Sequence, residues 1–108
     1  MARILISEPH PDVRVLLEAV VRRAGHEPVG HGELVDEAPE LMILEPVFAD
    51  GLAAAARLRD RLEDLPIICT SIAPPNAATK ALGPIVHLIK PFRLGELEAA
   101  IASALAPA

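Results

Sequence analysis

The sequence predicts a single α/β domain built on a five-stranded parallel sheet with helices on both faces. Three observations predict it. Short β-rich runs alternate with helical patterns in the order β-α-β-(short)-β-α-β-(short)-β-α, the pattern of strand, crossover and strand units. The run Leu41-Met42-Ile43-Leu44 is apolar without polar alternation, which suits a strand covered on both faces. It stops at Glu45 and Pro46, and the carboxyl end of a central strand is where open α/β sheets place their sites.

The elements can be justified in turn. Ile4-Leu5-Ile6 is a short strand, broken by the loop Ser7-Glu8-Pro9-His10-Pro11. Pro11 and Asp12 open a helix, because proline is tolerated in a first turn and an acidic side chain there suits the dipole. Its apolar stripe is Val13, Leu16, Leu17, Val20 and Ala24, with Arg14, Glu18, Arg22 and Arg23 facing outward, and Gly25 ends it. Glu27 to Gly30 is a weak strand whose Pro28 argues for a sheet edge. Residues 32–40 are acidic and thinly apolar, with room for one helical turn but not a full crossover helix.

After the central run, Phe48-Ala49-Asp50-Gly51 is expected to be a turn. Leu52 to Leu62 forms an alanine-rich helix burying Leu52, Ala55, Leu58 and Leu62. Its polar side carries Arg57, Arg59, Asp60 and Arg61, with Glu63 just beyond. Pro66 to Ser71 is the fourth strand, Ala77 to Leu82 a short helix, and Ile85 to Ile89 the fifth strand. Leu94, Leu97, Ile101 and Leu105 recur at helical spacing and mark the last helix, with Glu96 in its first turn.

The totals narrow the function. At 108 residues the chain is one domain, 1–108, long enough to bury about two-thirds of its unfolded surface. Phe48 and Phe92 are the only aromatic residues and the formal net charge is −5; both oppose nucleic-acid binding, which needs stacking platforms or a basic patch. Cys69 stands alone in an apolar run and reads as a small buried hydrophobe with no internal disulfide partner. Met1-Ala2-Arg3 leads straight into a strand-like run without a signal-peptide pattern, and no apolar run reaches membrane-spanning length. A cytoplasmic protein without membrane association is the expectation.

In this architecture the ends of the first, third, fourth and fifth strands share one edge and bring Ser7-Glu8-Pro9, Glu45, Ser71 and Lys90 to one crevice. A carboxylate pair, a hydroxyl and a lysine so placed suit an acyl phosphate and its metal ion. His10, His26 and His31 share no regular face and read as surface residues. Glu33, Asp36, Glu37 and Glu40 read as a solvated loop, with a docking surface for a basic partner as the lesser alternative.

Over nearly its whole length the chain resembles the receiver domain of bacterial response regulators, a flavodoxin-like three-layer sandwich. The resemblance rests on Arg3-Ile4-Leu5-Ile6 with Glu8, Pro11-Asp12-Val13-Arg14, Ala24-Gly25-His26-Glu27-Pro28-Val29, Pro39-Glu40-Leu41-Met42-Ile43-Leu44, Pro66-Ile67-Ile68 with Ser71, and Ile89-Lys90-Pro91-Phe92. The resemblance implies an acidic pair at Glu8 and Pro9, the phospho-acceptor at Glu45, the switch hydroxyl at Ser71, an aromatic switch near His87, and the phosphate-contacting lysine at Lys90 before Pro91. Relative to that pattern, the second and fourth helices are shortened.

Two positions depart from the family. Pro9 has no side-chain oxygen, so a direct Mg2+ ligand is missing, which leaves Mg2+ a weak expectation. Glu45 is a carboxylate, but its extra methylene shifts the oxygens by roughly an ångström or more, and a misplacement near 1 Å can cost about a hundredfold in phosphoryl transfer. The expectation is therefore an atypical receiver-like domain, not an enzyme, acting by protein contact with a histidine kinase or downstream regulator, with a homodimer as the further alternative. Glu45 is either a fixed anion near Lys90 that imitates an acyl phosphate or half of a relict ion pair. His87 is either a pH-sensitive switch or a half-exposed strand residue. The rivals are a phosphorylatable regulator using Glu8 and Glu45 with Mg2+, and a small flavodoxin-like ligand module. The second lacks a glycine-rich phosphate loop and the aromatics that stack on a flavin.

Overall fold

A computed structural model of the chain describes residues 1–31 and 38–106. The elements run β1 (Arg3–Ser7), α1 (Pro11–Arg23), β2 (Glu27–Val29), β3 (Leu41–Leu44), α2 (Ala49–Arg61), β4 (Ile67–Ser71), α3 (Ala77–Ala81), β5 (Val86–Ile89) and α4 (Leu94–Leu105). The five strands pair in parallel in the order β2-β1-β3-β4-β5. The expected five-stranded parallel α/β sandwich is the fold observed. Pro28 lies in edge strand β2, where its missing N–H breaks no interior ladder. The thinly apolar stretch after β2 lies largely outside the described residues.

The absence of alternation in β3 has a direct cause. Leu41 and Ile43 enter one core with Ile4, Ile6, Leu17, Leu97 and Ile101, beneath α1 and α4. Met42 and Leu44 enter the other with Leu5, Ala55, Ile67 and Cys69, beneath α2. All four β3 side chains are fully buried, each contributing about 2 kcal/mol relative to an exposed position. A polar residue at any of the four would face a dry layer.

Two local expectations are corrected. In α1 the buried positions are Leu17, Val20 and Val21, with Val13 at the margin, while Leu16 is 45% exposed. Apolar spacing allows two adjacent rows on this helix. Packing against the sheet and α4 selects the row through Val21.

In α2 the predicted turn at Phe48 to Gly51 is instead the helix start, and Leu52 N–H donates to the Phe48 carbonyl at 3.1 Å. Gly51 is there for close approach: a Cβ at this position would meet Leu44 Cδ1 and Ser7 Oγ, both at 3.2 Å. Gly25, by contrast, has φ +88° after α1, a left-handed conformation that ends the helix as expected.

The short α3 is held at its N-terminus by a reciprocal capping box. Asn76 Oδ1 accepts from Thr79 N–H at 3.0 Å, and Thr79 Oγ1 accepts from Asn76 N–H at 2.8 Å. Arg59, expected on the polar side of α2, instead turns its guanidinium onto carbonyls. It donates to Leu82 at 3.0 Å, Glu63 at 2.8 Å and Leu65 at 2.6 Å. One side chain thus ties the end of α2 to the approach of β4 and the end of α3, using several of its five donors.

Candidate functional site

The parallel ladders continue one residue beyond the strands. Glu45 N–H donates to the Ser7 carbonyl at 2.9 Å, and Lys90 N–H to the Ser71 carbonyl at 2.7 Å. This extension sets Glu45 beside the end of β1 and Lys90 beside the end of β4. Glu8 and Glu45 are both buried, at 4% and 3% exposure. Two carboxylates in so little water need a counter-charge.

Lys90 supplies it. Its Nζ donates to Glu8 Oε1 at 2.6 Å and to Glu45 Oε2 at 2.8 Å. Burial alone would depress the ammonium, but the hydrogen bonds and negative charges of Glu45 and Glu8 outweigh it and raise its pKa above the ordinary lysine value. The remaining oxygens also have partners. Val47 N–H donates to Glu45 Oε1 at 3.0 Å, and His10 N–H to Glu8 Oε2 at 3.3 Å.

This donor set does not fit Mg2+, which takes near-octahedral oxygen ligands. Pro9 is exposed and brings no oxygen. Every oxygen of Glu8 and Glu45 already accepts a hydrogen bond. Among the described residues, no group of three His, Cys, Asp or Glu side chains is arranged to hold a metal ion.

Ser71 is buried at the end of β4, but its Oγ accepts from Ala73 N–H at 3.1 Å. Its recorded bond therefore turns toward the β4–α3 loop. His87, on β5, is partly buried, and its Nε2 lies 2.8 Å from the Ala73 carbonyl, the contact of a protonated Nε2 with an acceptor. Ser71 and His87 thus meet through Ala73. Pro91 is exposed and follows a cis Lys90–Pro91 peptide bond. Cys69 is buried in β4, and desolvation together with the Glu45 charge pushes its thiol up to about 11, which removes it as a nucleophile near neutral pH.

The histidines are not uniformly idle surface residues. His26 Nδ1 accepts from Ala2 N–H at 3.0 Å, and the His10 ring stands edge-on to Phe48 with centroids 5.5 Å apart. His31 Nε2 lies 3.0 Å from Ser7 Oγ. Desolvation, then the nearby Arg57 charge, lowers the His31 pKa. The strand register contains the missed signal: Leu5 pairs with Val29, so continuing the ladder by two residues brings position 31 to position 7.

His31 and Arg57 belong to a cleft of about 660 Å3 at the ends of β1 and β3, bounded by the start of α2 and the residues after β2. Glu8, Pro9 and Glu45 are part of its lining, and Lys90 is not. The acidic pair is legible in the sequence; the cleft it helps to line is not.

No protein-family model matches the sequence, and no curated protein matches it significantly. Solved structures do match. NtrX from Brucella abortus is 25% identical, with TM-score 0.81, over 96% of this chain but only 26% of its own, so the present chain spans about a quarter of that protein. The response regulator TrrA from Thermotoga maritima, solved with Mg2+ and BeF, is 23% identical over 97% of this chain and 100% of its own, with TM-score 0.80. The chemotaxis protein CheY4 from Vibrio cholerae is 18% identical over 97% of this chain and 99% of its own, with TM-score 0.84. The chain therefore has the fold of the response-regulator receiver domain.

Proposed function

We propose that this chain, built on the receiver fold, is an atypical signalling domain that acts by protein–protein contact without accepting a phosphoryl group. The observation that carries the reading is the Lys90 bridge to Glu8 and Glu45. A resident ammonium neutralises part of the acidic pair where phosphoryl chemistry needs a metal ion, and Glu45 replaces the shorter aspartate at the acceptor position. Glu45 then serves as a permanent anion that holds the ends of β3 and β5 together, so the domain keeps one arrangement in place of a switched pair. Ser71 and His87, the switch-position residues, are occupied with Ala73. The partner is a histidine kinase or a downstream regulator, and no catalysis by this chain is required. Among the described residues no helix is long and apolar enough to cross a membrane.

The test is phosphorylation itself. Wild-type protein incubated with acetyl phosphate and Mg2+ is expected to stay unlabelled by intact-mass measurement, and beryllofluoride with Mg2+ to leave the amide resonances of Glu45 and Ser71 unmoved. Pro9→Asp combined with Glu45→Asp is expected to gain labelling. Stoichiometric labelling of the wild type would overturn the reading in favour of a phosphorylatable regulator.

A further inference from the structure

We propose that the cleft between the ends of β1 and β3 and the first turns of α2 binds a small organic anion, a carboxylate or phosphate on an apolar body. Its volume of about 660 Å3 lies in the range of small-molecule pockets, roughly 300–1,000 Å3. Ile6, Phe48 and Ala54 make apolar wall, Arg14, His31 and Arg57 carry the basic part of the lining, and Glu8, Glu45 and Asp50 the acidic part. The cleft shares Glu8 and Glu45 with the Lys90 cluster, so the inference rests on the reading that Glu45 accepts no phosphoryl group.

The charges around the cleft decide the ligand class and its orientation. Neither Arg14 nor Arg57 has a side-chain hydrogen bond or ion-pair partner among the described residues. Two uncommitted guanidiniums on one concave surface match a carboxylate or phosphate, which they can hold through charge-assisted, forked hydrogen bonds. The opposing charges are Asp50, also in the lining, and the single net negative charge left by Glu8, Glu45 and Lys90. An anionic head is therefore repelled from the acidic pair and held at Arg14 and Arg57, with the apolar part against Phe48 and Ala54. A free cation would instead have gone to the acidic pair, but both carboxylates there already share Lys90.

The cleft is also pre-formed. The close approach of Gly51 to Ser7 and Leu44 fixes the α2 wall, and the His31–Ser7 hydrogen bond holds the His31 side chain beside the end of β1. A rigid concavity loses less entropy on binding than one that must first assemble.

Phenyl phosphate and benzoate are suitable probes, with benzyl alcohol as the uncharged control, read by amide shifts in the full chain. The expected result is saturable shifts at Gly30, His31, Gly51 and Ala54 with at least one anionic probe and none with benzyl alcohol. Arg57→Gln and Arg14→Gln, both exposed positions, are each expected to weaken binding about tenfold or more, as loss of a charge-assisted hydrogen bond requires. Absence of saturable shifts with both anions, an equal response to benzyl alcohol, or unchanged affinity in both variants would overturn the assignment. So would shifts centred on Ser71 and Lys90, which lie outside the lining of the cleft.

Discussion

Lys90 Nζ stands 2.8 Å from Glu45 Oε2, across 45 positions of sequence, and the same nitrogen reaches Glu8 at 2.6 Å. The three groups form a charged triad in which one ammonium serves two buried carboxylates. Removing one partner of such a cluster leaves uncompensated charge in a dry site, which costs far more than the intact cluster contributes.

Lys90→Met is therefore expected to destabilise the protein by about 3–5 kcal/mol near neutral pH, measured by urea denaturation. Adding Glu8→Gln should recover part of that loss, because one of the two stranded charges is then gone. A Lys90→Met variant as stable as the wild type would mean that water already screens the triad.

The alkaline limb of the stability curve follows from two raised pKa values. Lys90 titrates above the ordinary 10.5 in the folded chain, so its contribution is complete below the unfolded value and is lost as pH rises through the folded one. Cys69, raised from 9.0 to about 11, acts in the same direction, with stability falling between those two values as the unfolded thiol ionises first. The chain has no tyrosine, which simplifies this region. Denaturation midpoints are expected to drop above about pH 9, and Cys69→Ala should remove the earlier part of the drop while leaving the later part.

Glycine at position 51 tests the packing of α2. Replacing a helical glycine by alanine ordinarily stabilises, by about 0.5–1 kcal/mol in a helix interior and by less in the first turn, where Gly51 lies. At Gly51 the new methyl meets Leu44 Cδ1 and Ser7 Oγ at 3.2 Å, and both neighbours are held, so Gly51→Ala is expected to destabilise by about 1 kcal/mol. Gly95 in α4 has nothing within 4 Å of a built Cβ, so Gly95→Ala should be neutral or stabilise slightly. Thermal unfolding of the pair measures the difference, and a stabilised Gly51→Ala would show that the α2 wall yields.

Arg59 gives a test of a long-range tie. Arg59→Ala strips hydrogen bonds from the carbonyls of Leu82, Glu63 and Leu65 and is expected to cost about 2 kcal/mol. Hydrogen exchange should quicken in α3 and at the entrance to β4. Arg61→Ala, on an exposed neighbouring position, is the control expected to change little.

Much of this fold was legible because its signals are local. The unbroken apolar run from Leu41 to Leu44 announced a strand buried on both faces, Pro28 announced an edge, and the helical spacing of Leu97 and Ile101 announced the buried face of the last helix. Glu8, Glu45 and Lys90 could be placed at one edge of the sheet because parallel strands point their carboxyl ends the same way. Local periodicity was ambiguous only where two rows competed, as at Leu16 and Val21, or where glycine has two uses, as at Gly51.

The contacts that give the site its character are non-local. Nothing in the order of residues says that Lys90 bridges both carboxylates, that Ser71 turns to Ala73, that Arg59 closes on four carbonyls, or that His31 and Arg57 wall a cleft beside Ser7. Residue type and spacing specify which face an element buries, since that depends on its own helical or strand period. Which side chains then meet depends on strand register, helix rotation and the depth of packing between elements, and those are settled only when the whole core closes at once.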